Sequence, residues 1–348
     1  MTDSARGKIL VMRFSSLGDL ILIIPLLAAL RDGYPDSEIH LATKEAYWEL
    51  FAGSPLVDQL HTLQEPGLGA LLRFRSELAR ERFQVIIDAH NVIRSNLLYH
   101  SLHAPRKIQL RKEQVKKALL IKKKRRGSGE HLHQSARYLE LAEKLGLSVS
   151  EADPGFEIPG NADAKIDDLL SGTEHAARKL IAMAPGARWE TKCWPLEHYS
   201  RLADMIADRD MEIVLIGGPD ETERSRELAV RSKGSVLDLT GKLSMVESAA
   251  LLRRCEVLVT NDSAPLHMAE TVGTPVVAIF GPTVQEFGYF PRLPESAILE
   301  VDLACRPCSR NGARPCELET KECLTAISPE TAAREIDRIV VRRNDAQA

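Results

Sequence analysis

Residues Lys8 to Leu30 read KILVMRFSSLGDLILIIPLLAAL, and the reading of this stretch decides the fold. A short β-rich run ends at Arg13. Two serines and a glycine then turn the chain, and Asp19 precedes eleven residues without a charge, Leu20 to Leu30. An export signal is one reading. Against it, an acid sits at the front edge of the apolar run, Pro25 interrupts it, and RDGYP follows where small residues would mark cleavage. The run is also shorter than the roughly 18–20 residues that span a bilayer. What remains is a strand, a loop and a buried helix, bent or restarted at Pro25. That is the opening unit of a doubly wound α/β sheet.

The pattern continues outward from there. Further strands are predicted at EIHLAT, VDQLHT and QVIIDA, with helices near 20–33, 45–52, 68–82 and 91–102. Another helix covers HLHQSARYLELAEKLG, apolar at Leu132, Tyr138, Leu141 and Leu145, with Gly146 as its stop. The stretch SEADPGFEIPGNADA is the candidate linker. Alternation then restarts, with strands at KLIAMA, EIVLIG, SVLDL, EVLVT and PVVAIF. Continuous apolar strands separated by helices imply parallel sheets covered on both faces. A chain of 348 residues, 44% apolar and 27% charged, can build two such cores. The expected division is 1–160, 175–327 and a terminal helix at 328–348 that is a candidate to cross back to the first domain. Serine and proline open that helix.

Charge is unevenly spread. Arg106 to Arg126 carries eleven Lys/Arg against Glu113 alone, a net +10 in a chain of net −3. Such a block suits an anionic surface, a phosphorylated ligand or simply solvent. No aromatic residues interleave it, which disfavours nucleic acid. The last four cysteines, Cys305, Cys308, Cys316 and Cys323, are spaced Cx2C-x7-C-x6-C. Structural zinc, packing thiols and a redox-labile disulfide all remain open.

In doubly wound sheets, ligands bind where loops lead from strand carboxyl ends into helix N-termini. Four such loops stand out. In RFSSLGD, Ser16 and Asp19 could cap the helix or serve a ligand, and Gly18 allows close approach to the backbone. Neither GxGxxG nor GxxxxGK[ST] occurs there, which argues against a standard dinucleotide or P-loop site. In APGARWETKCWP, Arg188 and Lys192 follow a strand end and suit a diphosphate. In IGGPDETER, Glu221 could accept from ribose hydroxyls or complement a helix dipole. In VTNDSAPLHMAE, Asp262, Ser263 and Ala264 open a helix whose first N–H groups suit an anion, with His267 one turn on.

Six blocks, in order, resemble the ADP-heptose:lipopolysaccharide heptosyltransferase family, glycosyltransferase family 9. They are the opening stretch, IIDAHNVIRSNLL, APGARWETKCWP, IGGPDETER, LTGKLSM and VTNDSAPLHMAETVGTPVVAIFGPT. The cysteine cluster is similar to that of the heptosyltransferase II-like branch. The resemblance implies the GT-B architecture, two Rossmann-like parallel-sheet domains facing across a cleft. It implies an inverting glycosyltransferase that moves heptose from ADP-heptose to a phosphorylated lipid A-core acceptor. It also implies a cytoplasmic enzyme peripheral on the inner leaflet, with no metal or other cofactor required.

By position, the resemblance makes Asp19 the general base and Lys192 a catalytic donor-phosphate ligand. Ser16, Gly18 and Arg188 join the donor site, Arg188 where relatives often have a hydroxyl. Glu221 falls on the ribose-binding acid and Leu243 on the adenine-packing residue. Asp262, Ser263, Ala264 and His267 form the diphosphate loop. Arg94, Lys122, Lys123, Lys124 and Arg125 are the acceptor-side candidates. A transferase of another nucleotide sugar and a non-catalytic, membrane-recruited nucleotide-binding module are the alternatives.

Overall fold

The structure, a computed structural model, describes residues 7–65, 67–111, 113–123, 131–149, 156–171, 178–207, 209 and 211–347. The chain divides into two units, Met1–Glu113 with Leu132–Pro159, and Gln114–His131 with Gly160–Ala348.

The first unit contains β1 (Lys8–Met12), α1 (Leu17–Leu22), α2 (Ile24–Gly33), β2 (Glu38–Lys44), β3 (Gln59–Leu63), α3 (Leu68–Arg80), β4 (Val85–Asp88), α4 (Ile93–Ser101) and β5 (Arg106–Gln109). Helix α5 (Gln114–Lys123) interrupts it in sequence and belongs to the second unit, and α6 (Gln134–Glu143) completes the first. The basic block, expected within the first domain, is thus shared: Arg106–Glu113 falls in the first unit and α5 in the second. The sheet order is β3-β2-β1-β4-β5, every pair parallel. Successive side chains of β1 point to opposite faces. Leu10 and Met12 join Leu71, Phe74, Leu78 and Leu98 in one core. Helix α6 packs against α1 and α2. The opening apolar run is two buried helices meeting at Ile23, because Pro25 cannot donate within a continuing helix.

The second unit contains α7 (Gly160–Ser171), β6 (Lys179–Ala184), α8 (Leu196–Ala207), β7 (Met211–Leu215), α9 (Thr222–Arg231), β8 (Val236–Asp238), α10 (Met245–Arg253), β9 (Cys255–Asn261), α11 (Ala264–Thr271), β10 (Val276–Phe280), β11 (Ala297–Glu300), α12 (Glu322–Thr325) and α13 (Pro329–Gln347). Its sheet order is β11-β10-β9-β6-β7-β8, again parallel throughout. The core gathers Trp194, Tyr199, Val257 and Ile279. The indole of Trp194 is fully buried and its N–H donates to Ile327 O at 3.0 Å, so its polar atom is satisfied.

Helix α13 packs within the second unit. Ala332, Ala333, Ile336, Ile339 and Val340 recur at helical spacing and form one side of this same core. The unit also starts earlier than 175. Helix α7 begins inside the Pro/Gly-rich stretch and is tied to α10 and the residue after it, Asp163 pairing with Arg253 and Arg254. Among the described residues no helix is long and apolar enough to cross a membrane.

One histidine pair on neighbouring strands β2 and β3, His40 buried and His61 half-buried, makes stability pH-dependent. His40 Nδ1 lies 2.8 Å from His61 Nε2, the rings stack at 5.1 Å, and Phe83 meets His40 edge-on. Burial, then the neighbouring His40, pushes His61 from 6.5 down to about 4. Burial lowers His40 as well, against its bond to Glu38. The unfolded chain therefore binds more protons than the folded one between about pH 6.5 and about pH 4, and stability falls as pH falls through that window. Thermal melts between pH 7.5 and pH 4.5 should show a declining Tm whose slope flattens in His61→Leu; equal slopes would contradict the assignment.

Candidate active site

In the first unit the loop after β1 carries Asp19 into the first turn of α1, with Ser16 as N-cap. The Ser16 N–H and Oγ donate to Asp19 Oδ2 at 3.2 and 2.9 Å. Arg13 Nη2 lies 2.6 Å from the same oxygen, and the Tyr138 hydroxyl donates to Oδ1 at 2.9 Å. Asp19 is only 8% exposed. Burial alone would raise its pKa, but the Arg13 guanidinium and the Ser16 and Tyr138 hydrogen bonds hold it down at about 2. The group is thus a carboxylate at any physiological pH, presented at the carboxyl end of the sheet. Gly18 is buried within α1 beside it.

Arg13 and Tyr138 were not among the sequence candidates. Arg13 sits inside the stretch that decided the fold, where it looks like a strand terminus. Its other amino group donates to Ala89 O at 2.7 Å, binding β1 to the loop after β4. Tyr138 lies on α6, 119 residues away in sequence, and read as one more apolar position.

The loop after β4 is organised by Asp88. Its Oδ1 accepts the backbone N–H groups of His90 and Asn91, each at 2.9 Å. Its Oδ2 accepts from Ser95 Oγ at 3.0 Å and Gln109 Nε2 at 2.9 Å. A fully buried carboxylate with four donors is a fixed scaffold. It positions the start of α4, where Arg94 lies 6.0 Å over the Phe14 ring, a neighbour of the Asp19 loop.

In the second unit Lys192 closes a 3-10 turn after β6. Its Nζ donates to Asp262 Oδ2 at 2.6 Å and to Asp262 O at 3.0 Å. Thr283 Oγ1 donates to the same carboxylate oxygen at 2.6 Å. Burial opposes ionisation of Asp262, and Lys192, ahead of Thr283 and His267, lowers its pKa. Asn261 knits this loop to β9. Its Oδ1 accepts the Trp194 N–H, and its Nδ2 donates to the carbonyls of Pro185 and Gly186. Asn261 and Thr283 were also missed, since each acts through a contact distant in sequence.

Helix α11 begins at Ala264 with Ser263 as extended N-cap and Pro265 in the first turn. Its positive end therefore lies next to the Lys192–Asp262 pair. His267 is buried one turn further on, 6.0 Å from the Tyr289 ring.

Glu221 folds back against two glycines. A Cβ on Gly186 would meet Glu221 Oε1 at 2.0 Å, and one on Gly217 would meet Oε2 at 2.5 Å. Its Oε2 accepts the Gly218 N–H at 2.9 Å. Burial raises its pKa against that bond. Gly241, with φ +72°, donates its N–H to Gly217 O at 3.0 Å, and a Cβ there would meet Thr222 Cγ2 at 2.9 Å and Pro219 Cα at 3.2 Å, so Leu243 and Glu221 sit on adjoining loops. Arg188 rests 5.5 Å over the Trp189 ring.

The remaining candidates are placed differently. Lys122 and Lys123 are exposed on the last turn of α5, so they belong to the second unit; Lys124 and Arg125 lie outside the described residues. Lys117 anchors that helix, donating to Phe287 O at 2.7 Å and lying over the Tyr289 ring. The cysteine-rich segment forms a wall beside Lys192. Gly312 O accepts from Thr191 Oγ1, and a Cβ on Gly312 would meet Lys192 Cγ at 2.9 Å. Buried Arg306 ties the segment to Thr283 O and Glu300. All six cysteines are free thiols, and among the described residues no three His, Cys, Asp or Glu converge as a metal site. Burial pushes Cys323 up to about 11.

Lipopolysaccharide heptosyltransferase 3 of Escherichia coli K12 is 25% identical over 288 residues, covering 78% of this chain and 81% of that protein. Lipooligosaccharide heptosyltransferase 2 of Haemophilus ducreyi is 25% identical over 312 residues, covering 84% and 88%. Equal likeness to types 2 and 3 does not single out the second-heptose branch. A family 9 glycosyltransferase of Veillonella parvula shares the fold, with TM-score 0.79, 24% identity and 97% coverage of each chain. The model of glycosyltransferase family 9 (heptosyltransferase) matches residues 71–318. With that match over most of its length, the chain belongs to glycosyltransferase family 9, the heptosyltransferases, and is a glycosyltransferase.

Proposed function

We propose that this enzyme transfers heptose from ADP-heptose to the inner core of lipopolysaccharide with inversion, using Asp19 as general base. The carrying observation is the buried Asp19 carboxylate, kept ionised by Arg13 at a strand end, in a chain of this family. Relatives named for transfer onto lipopolysaccharide support the acceptor class.

In the step itself, the acceptor hydroxyl gives its proton to Asp19 as its oxygen bonds to the anomeric carbon. The bond from that carbon to the β-phosphate oxygen breaks, and its electron pair leaves with ADP. A carboxylate of low pKa is a weak base in the ground state. It suits a transition state in which the sugar is already oxocarbenium-like and the hydroxyl proton has become acidic. Charge on the departing diphosphate falls to Lys192 and the N-terminus of α11, with Arg188 as a further cation. Glu221 takes the ribose hydroxyls and Leu243 packs the adenine. Asp19 is carried by the first unit and Lys192 by the second.

Competition between nucleotides tests the donor assignment. ADP should inhibit transfer and UDP should inhibit at least about tenfold less well, one tenfold step being about 1.4 kcal/mol of discrimination. In the same assay EDTA should leave the rate unchanged, because Lys192 and the helix end carry the phosphate charge. Equal inhibition by UDP would overturn the adenosine assignment. Loss of transfer in EDTA with recovery in Mg²⁺ would overturn the phosphate assignment.

A further inference from the structure

The segment Pro185 to Trp194 lies between β6 and α8 and carries both donor-side cations, Arg188 and Lys192. One side chain from α9 holds it at its start, middle and end. Arg224 Nε donates to Pro185 O at 2.9 Å, and its Nη2 donates to Trp194 O at 2.9 Å. Between these, Nη1 lies 3.3 Å from Oε2 of Glu190, the residue that opens the 3-10 turn closed by Lys192. A guanidinium presents its donors in a rigid plane, so a single arginine can hold such a loop along its length. A compact ammonium cannot span the same acceptors.

The position of Arg224 in its helix shows what the side chain serves. It sits in the first turn of α9, where the helix dipole disfavours a cation and suits its neighbour Glu223. The contacts to the loop, not the stability of α9, therefore account for an arginine here. Asn261 already pins the loop from the other side, through the Trp194 N–H and the Pro185 and Gly186 carbonyls. What Arg224 adds is a link to the segment of Glu221. Glu221 is the residue before α9, and its carboxylate backs onto Gly186 of the same loop. Burial raises the Glu221 pKa, and the Gly218 N–H and then the Arg224 charge oppose that rise.

We propose that Arg224 is a positioning residue for the donor, fixing the loop of Lys192 against the start of α9 so that the diphosphate and ribose contacts keep one spacing. This role rests on the reading of Lys192 as a diphosphate ligand, and Arg224 acts through the loop rather than on the donor.

Titration calorimetry with ADP on the full-length enzyme tests it, in wild type, Arg224→Met, Lys192→Ala and the double variant. Arg224→Met keeps an apolar stem and removes the donors. ADP affinity should fall at least about tenfold, the scale expected for lost hydrogen bonds from a charged group. In the Lys192→Ala background the same change should cost less than about threefold, because the lysine it positions is gone. Arg224→Lys keeps the charge and reaches fewer acceptors, so its ADP affinity should fall between wild type and Arg224→Met. In transfer assays kcat/KM for ADP-heptose should fall in step with ADP affinity, while KM for the acceptor stays within about twofold. A general loosening of the fold would not produce that split. Melting curves identify a variant that fails to fold, and Arg224→Lys carries the cycle where Arg224→Met does not fold. A folded Arg224→Met enzyme that binds ADP within about twofold of wild type would overturn the proposal. So would a loss in the Lys192→Ala background as large as in wild type, or unfolding of both Arg224 variants, which would make the residue a determinant of the fold. Failure of the donor reading shows up separately, as a wild-type enzyme that does not bind ADP.

Discussion

Asp19→Asn should lower kcat by about two to four orders of magnitude while ADP binds within about twofold of the wild-type affinity. The amide is nearly isosteric and can still accept from the Tyr138 hydroxyl, but it cannot take the acceptor proton. It also leaves Arg13 buried without its counter-charge. Removing one partner of a buried pair costs about 3–5 kcal/mol, so Tm should drop as well. Kinetics must therefore be read well below the variant's melting temperature, with ADP affinity measured by calorimetry on the same sample. A folded Asp19→Asn enzyme that keeps kcat within about threefold of wild type would remove Asp19 from the chemistry.

Lys192→Ala has the second largest expected effect, a loss of about 10²–10³ in kcat/KM for the donor. The substitution removes the ammonium that meets the diphosphate. It also leaves Asp262 facing that diphosphate with Thr283 as its remaining hydrogen-bond donor of the pair. The second consequence separates two roles for the lysine. If Lys192 only neutralises Asp262, adding Asp262→Asn should restore activity almost fully. If Lys192 stabilises the leaving group, the double variant should recover a minor part of the loss. Lys192→Arg keeps the charge but spreads it over a planar fork, and an intermediate rate is expected. Full rescue by Asp262→Asn would contradict a direct phosphate contact.

Much of this was legible in the chain. Apolar strands alternating with helices specify two parallel sheets, because a strand buried on both faces has no polar alternation to show. Asp19, Lys192, Asp262 and Ser263 could be found because strand ends and helix starts have local signatures. Other elements left weak traces. Strand β5, RKIQ, has a single apolar residue, as a sheet edge tolerates, and β11 is a four-residue edge. Leu132 fits the apolar stripe of α6 by spacing, yet it precedes the helix and is 45% exposed, with His133 as the N-cap. The groups that give the site its electrostatics were hidden for a different reason. Tyr138 sets Asp19 from another helix, Thr283 sets Asp262 from another strand's loop, and Asn261 stitches two loops by its side chain amide. Sequence spacing does not encode such contacts; only the closed fold brings them together.

The central claim is the transfer reaction, and product analysis tests it most directly. Purified enzyme should be incubated with ADP-heptose and a series of lipopolysaccharides truncated one core sugar at a time, with acceptor products read by mass spectrometry. The expected result is the gain of one heptose on a single member of the series, with ADP released in equal amount and the new linkage inverted. ADP-heptose left untouched with every acceptor, or a heptose linkage of retained configuration, would contradict it.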